Sequence, residues 1–324
     1  MLRLLRLPCS LLAVLGLTWL LAGCSPRYQP PLTLGTNTWI GYEPLYLARE
    51  LGYYDGANLR LVELASTTQT LDALRIGTLD MAAVTLDEAL LLAQEGQPIS
   101  VLWVLNISAG ADALIAKPAI TALAQLRGKR IGVEQTATGA YMLDAALQQA
   151  GLQVQDITIV PLPLDEHFSA WQANAIDAVV TFDPARQKLL HTGGLELFTS
   201  QDIPGQIVDV LVARQSALDC CRPQIAQVIA GQQRALQYLR QTPDQAWQHM
   251  APRQGVAAEN VADALSGIEL PDARMNRQLL TDPNTGLPAT TRQLVQTMQQ
   301  NHLLHSPPDT AALIRADFAV EAAP

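Results

Sequence analysis

From Leu32 to Phe182 the chain alternates, in two successive runs, between short apolar segments and helix-length segments, several of them closed by glycine. No other feature constrains the fold as much. Leu32–Thr36, Leu59–Leu64, Met81–Val84 and Ile99–Leu105 read as strands. Apolar Leu59, Leu61 and Leu64 alternate with Arg60 and Glu63, as in a half-buried strand. Pro44–Leu51, Thr70–Ile76 and the segment after Thr85 read as helices stopped by Gly52, Gly77 and Gly96. Thr85 and Glu88 have the spacing of a capping box. The second run gives strands at Arg130–Val133, Ile157–Leu162 and Ala178–Thr181, and helices at Ala140–Ala150, Phe168–Ala173 and after Pro184. Such spacing builds βαβ units with mostly parallel sheets covered on both faces. Two runs imply two lobes: 32–113 with 214–324, and 114–213. Leu114–Ala116 and Val208–Ala213 bracket the second run and read as crossover strands, with a hinge near 113–116 and 208–213. Beyond Ala213 the pattern is helical, with Ile225, Val228, Ile229, Leu236 and Leu239 at helical spacing after Pro223. This tail is expected to return to the first lobe.

The amino terminus carries Arg3 and Arg6, then a largely apolar run ending in Leu21-Ala22-Gly23-Cys24. This resembles a lipoprotein signal peptide with its lipobox. It predicts removal of residues 1–23, acylation of Cys24 (palmitate among the acyl chains), a proline-rich tether over 24–31, and a protein anchored by lipid outside the cytoplasm. The net charge is −9, and the signal removes two basic residues. An acidic chain of this kind is not built for nucleic acid or for polybasic docking on anionic lipid. Attachment would rest on the acyl chains. Cys220 and Cys221 are adjacent, so no disulfide framework is expected, only two small residues at a helix entry. Apolar residues make up 49% of the chain, enough for a sizeable core. A monomer is expected.

In open α/β sheets, ligands bind beyond the carboxyl ends of strands. The loops there contain Asn37, Trp39, Tyr42 and Glu43; Thr67, Thr68 and Gln69; Thr85 and Asp87; Gln135, Thr136 and Thr138, with Tyr141 just inside the next helix; and Asp183. Trp39 and Tyr42 precede their helix and suit stacking on a flat or cationic ligand. Tyr46, Tyr53 and Tyr54 are expected to pack the lobe. The Ser/Thr-rich loops offer hydroxyls and free helix N–H groups. None of the five histidines falls in these loops, and G-x-S-x-G, P-loop and G-x-G-x-x-G patterns are absent from the sequence. Asp87, Asp183 and Asp209 have no adjacent nucleophile. His302 and His305 alone do not make a metal site. The residues point to binding of a small molecule without cofactor or metal.

The run Asn37-x-Trp39-x-Gly41-Tyr42-Glu43-Pro44-Leu45-Tyr46-Leu47-Ala48, followed by Leu51-Gly52-Tyr53-Tyr54, resembles the opening of nitrate/sulfonate/taurine-type (SsuA-like) solute-binding proteins of ABC importers. Leu126–Val133, Ile176–Pro184 and Ile207–Val212 extend the resemblance. It implies a two-lobe periplasmic-binding fold of type II, an ABC permease as partner, and a cleft lined by the loops named above. Asp183 stands where relatives often carry Glu. The five loops hold no Arg or Lys but do hold Glu43, Asp87, Glu134 and Asp183. That favours a neutral or amine-bearing, or heteroaromatic, ligand. A sulfonate or nitrate bound by backbone N–H groups remains open, as do a ligand-presenting sensor and an enzyme resembling the family's thiamine-pyrimidine branch.

Overall fold

A computed structural model describes residues 30–310 and 312–321. The expected signal peptide, Cys24 and most of the tether lie outside them. The strands are β1 (Leu32–Asn37), β2 (Leu59–Leu64), β3 (Met81–Thr85), β4 (Ile99–Ser108), β5 (Asp112–Ala116), β6 (Arg130–Val133), β7 (Thr158–Pro161), β8 (Ala178–Phe182), β9 (Leu195–Thr199), β10 (Val208–Arg214) and β11 (Ile268–Glu269). They form two sheets, in the orders β11-β4-β10-β3-β1-β2 and β7-β6-β8-β5-β9. The α/β fold with two sheets is therefore as expected. The sheets are mixed, however, where mostly parallel ones were expected. β1 pairs in parallel with β2 and β3, and β6 with β7 and β8. The strands next to the connections between the sheets run the other way: β10 is antiparallel to β3 and β4, and β5 to β8 and β9. A βαβ unit returns its strand in the same direction. A strand arriving from the other sheet has no such crossover to orient it.

Those connections are residues 109–111 and 200–207. The expected crossover strands lie inside the sheets rather than between them. Leu114–Ala116 belongs to β5 in the second sheet, and Val208–Ala213 is a central strand of the first. β3 and β10 are buried almost throughout, as their continuous apolar sequences require of strands covered on both faces. The edge strand β2 is half-exposed.

Two helices start earlier than periodicity suggests, because polar caps precede the apolar stripe. Thr67–Arg75 begins behind Ser66, whose hydroxyl accepts from the Gln69 N–H at 3.3 Å. Ala137–Gln149 begins behind Thr136, which accepts from the Gly139 N–H at 3.1 Å.

The tail packs on the first sheet. β11 pairs with β4, and Asn276 bonds both backbone groups of Val104 in β4, at 2.7 and 3.0 Å. The tail also reaches the second sheet's layer, where Asn301 donates to Asp144. The long helix Gln215–Gln241 breaks at Cys221 (φ −135°, ψ 24°), just before Pro223. Cys220 and Cys221 are bonded to each other there, a correction to the expectation of two unbonded small residues. Proline cannot continue the hydrogen-bond ladder, so this turn leaves helical geometry and the two side chains converge. The closed ring spans no loop, so it staples nothing together.

Candidate functional site

The ends of β1, β3 and β8 and the loop after β6 surround one cavity of about 40 Å³. With ~10–15 Å³ needed per water, that is room for a head group of only a few heavy atoms. From the first sheet's side come Asn37, Trp39, Tyr42, Thr67, Thr85, Glu88 and Asp209. Across from them stand Asp112, Glu134, Thr136, Thr138, Met142, His167 and Phe182. No Lys or Arg is among the described residues lining it.

The aromatic wall is held from behind. Trp39 Nε1 donates to Asn106 Oδ1 at 3.2 Å, and the Trp39 ring meets Phe182 edge-on at 5.3 Å. Gly41 makes this possible, since a Cβ there would strike both Asn106 and the indole. Tyr42 donates its phenolic hydrogen to Asp209, and burial beside that carboxyl pushes the phenol well above its usual range.

The wall's hydroxyls hydrogen-bond to neighbouring protein groups. Asn37 Nδ2 donates to Thr67 Oγ1 at 2.9 Å. Thr138 donates to Asp87 at 2.9 Å, which leaves the Thr85 hydroxyl to donate to Thr138 at 2.7 Å. The Glu88 half of the expected capping box forms, taking the Thr85 N–H at 3.0 Å, while the Thr85 hydroxyl serves the cavity wall.

Burial raises every carboxyl here. Asp112 is pushed up to about 7, and Glu88 and Asp209 well above the usual carboxylate range. Asp87 and Glu134 are raised by the same cause. Asp112 is 6% exposed, and its Oδ2 has no hydrogen-bond partner among the described residues. His167 is held at about 4 by burial and is neutral at pH 7. Its Nε2–H donates to the Leu162 carbonyl at 3.2 Å, so Nδ1 accepts from Thr181 at 3.0 Å.

Of the fourteen residues expected in the cleft, Asn37, Trp39, Tyr42, Thr67, Thr85, Thr136 and Thr138 reach the cavity. Asp87 stands behind it through Thr138. The others turn elsewhere. Glu43, 1% exposed, accepts from Arg253 at 2.8 Å and from Gln254, fastening the tail. Asp183 accepts from the Gln187 N–H at 3.2 Å and pairs with Arg186; burial raises it to about 6. Tyr141 donates to Gln206 in a separate depression and is raised by burial to about 12. Gln69 and Gln135 are exposed, and Thr68 binds Glu134. Sequence reasoning missed Glu88, Asp112, Met142, His167, Phe182 and Asp209 as lining residues, and named Glu134 only as an acid of its loop. Asp112 precedes an apolar strand and looks like a turn residue. His167 is separated from its loop by the turn Leu164–Glu166.

Relatives fit this architecture. The taurine-binding periplasmic protein of Escherichia coli K12 is 27% identical over 190 residues, 53% of this chain and 59% of that protein. The chain thus matches somewhat over half the length of that relative. The alkanesulfonate-binding protein SsuA of Xanthomonas axonopodis pv. citri, solved with MOPS, superposes with a TM-score of 0.74 at 18% identity, covering 90% of this chain and 99% of SsuA. The nitrate-binding protein NrtA of Synechocystis PCC 6803 gives 0.72 at 15% identity, covering 92% and 89%. The fold is that of these periplasmic binding proteins. Residues 25–252 match the NMT1-like family, and the chain belongs to that family.

Proposed function

We propose that this chain is the solute-binding component of an ABC-type importer, working outside the cytoplasm and anchored there by acyl chains on Cys24, and that its solute is small and amine-bearing. The names of its relatives and its membership of the NMT1-like family support the transport role. The ligand reading rests on one observation: four buried carboxyls, Glu88, Asp112, Glu134 and Asp209, share a small cavity with Trp39, Tyr42 and Phe182, and no described Lys or Arg lines it. Buried carboxylates without a counter-charge are costly, and a cationic solute supplies one. Aromatic walls favour a cation further. A solute carrying only a sulfonate or nitrate group offers no positive charge to draw these raised carboxyls into ionising. The chain acts by binding rather than by reaction. The one histidine in the wall has both nitrogens engaged by protein.

Calorimetric titration of the full chain in detergent micelles tests this, with small primary and quaternary amines, cationic heteroaromatics, taurine, alkanesulfonates and nitrate. Saturable binding of an amine or cationic heteroaromatic is expected. Binding of nitrate or a simple alkanesulfonate, with no response to any cation, would refute the ligand reading and keep the transport role.

A further inference from the structure

Each sheet-to-sheet connection ends at a carboxyl in the cavity wall. Residues 109–111 lead into Asp112, the first residue of β5. Residues 200–207 lead into β10, whose second residue is Asp209. The connections are also fastened to each other beside Asp112. The Ser108 and Ser200 hydroxyls meet at 2.8 Å, and Ser200 Oγ accepts the Gly110 N–H at 2.6 Å. The other acids of the cavity are engaged by protein donors: Glu88 by the Thr85 N–H, Asp87 by Thr138, Glu134 by Thr68. Asp209 holds the Tyr42 hydroxyl on Oδ1. Asp112 differs, because its Oδ2 is buried, belongs to a residue lining the cavity, and has no donor among the described residues.

We infer that Asp112 and Asp209 form the subsite that takes the solute's cationic nitrogen, and that filling it ties together both connections between the sheets. The inference rests on the amine reading above and adds where the charge is read. A buried acceptor left unpaired is unfavourable until an N–H fills it. A protonated primary amine carries three such donors, enough to satisfy Asp112 and still reach a second carboxyl. Asp112 and Asp209 each disfavour the other's ionisation when empty, and a cation between them reverses that effect. Because these carboxyls follow the two connections, the bound cation acts on the segments about which two sheets can move relative to each other. Recognition of charge and commitment to the closed form would then be one event.

The test titrates the full chain in detergent with methylammonium, ethylammonium and trimethylammonium chlorides, and with sodium methanesulfonate and sodium nitrate. The wild-type protein is expected to bind at least one ammonium probe. Asp112→Asn and Asp209→Asn are each expected to weaken that binding by at least about tenfold, the loss of one charge-assisted contact. Ligand-free Asp112→Asn should melt no lower than wild type at pH 8, which separates loss of a contact from loss of the fold. If Asp112→Asn melts lower, Asp112→Ser is read in its place. Ammonium binding that both Asp112 and Asp209 variants retain at full strength would overturn the subsite and leave the amine reading intact. Failure of the wild type to bind any ammonium probe would remove the amine reading and the subsite with it.

Discussion

Glu134, in the loop after β6 of the second sheet, accepts two hydrogen bonds from Thr68, the second residue of the helix that follows β2 in the first: one from the backbone N–H at 2.9 Å and one from the hydroxyl at 2.8 Å. A carboxylate here meets the positive end of the helix dipole as well as two donors. The pair clamps the two sides of the cavity across its rim. Glu134→Ala is expected to lose about 1.5–3 kcal/mol of closing free energy, the usual worth of bonds to a charged group. Solute affinity should fall roughly tenfold or more, since each 1.4 kcal/mol is a factor of ten. Small-angle scattering of the ligand-free protein should show a larger radius of gyration. Unchanged affinity and radius would mean that the clamp contributes nothing to closure.

Trp39 is 4% exposed and stands between Asn106 and Phe182. Trp39→Ala should cost about 3–5 kcal/mol of stability, as for other large aromatic deletions in a core. It should also weaken binding of a cationic solute by at least ~1 kcal/mol. Trp39→Phe keeps an aromatic wall and forfeits only the bond to Asn106, so it should retain most of the affinity. Equal binding by wild type and the alanine variant would remove the stacking role.

The buried carboxyls make stability fall as pH rises. Asp112 titrates near 7 in the folded protein against an ordinary 3.8, and Asp183 near 6. A raised carboxyl is protonated in both states below about 4. Between there and its folded value the unfolded chain ionises first and gains. Each such group therefore removes up to about 1.4 kcal/mol per pH unit over that window. Asp87, Glu88, Glu134 and Asp209 act in the same direction and Tyr42 faces them, while His167, held at about 4, acts in the opposite direction up to about pH 6.5 and Arg186 offsets Asp112 and Asp183 in part. The ligand-free melting temperature should drop between pH 5 and pH 7.5, less steeply in Asp112→Asn. Titrating a cation at pH 7 in buffers of different ionisation enthalpy should reveal proton release. A flat melting profile would contradict this account.

Arg253 joins the tail to β2 and to the helix Glu43–Glu50. It donates to Glu43 at 2.8 Å, pairs with Glu63, and lies over the Tyr46 ring at 3.5 Å. Arg253→Leu leaves Glu43 buried without its cation and should cost about 3–5 kcal/mol in denaturant unfolding. Glu43→Gln in the same background should recover part of that loss. Its effect on solute affinity should be small, because Glu43 does not line the cavity. A loss of binding that exceeds the loss of stability would return Glu43 to the site.

Much of this protein is legible in its sequence. The strands Leu59–Leu64 and Arg130–Val133 fall where local alternation and apolar runs put them, because a strand's burial pattern is written in adjacent residues. The loops after β1 and β3, before the helix at Ala137, and at the end of β8 could be named in advance, because the carboxyl ends of parallel strands are fixed by chain order. The acidic, lysine- and arginine-free character of those loops was equally plain. Direction within a loop was not. Glu43 and Trp39 are four residues apart, yet one turns to Arg253 and the other to the cavity, and the choice rests on a partner 210 residues away. Asp112 and Asp209 carry no local signal. They become a pair only because two connections, about a hundred residues apart in the chain, pass side by side between the sheets. Sequence order determined which strand ends are available to hold a ligand. The tertiary structure decided which carboxyls meet there, because their meeting depends on how the two sheets pair strands that no neighbouring residue specifies.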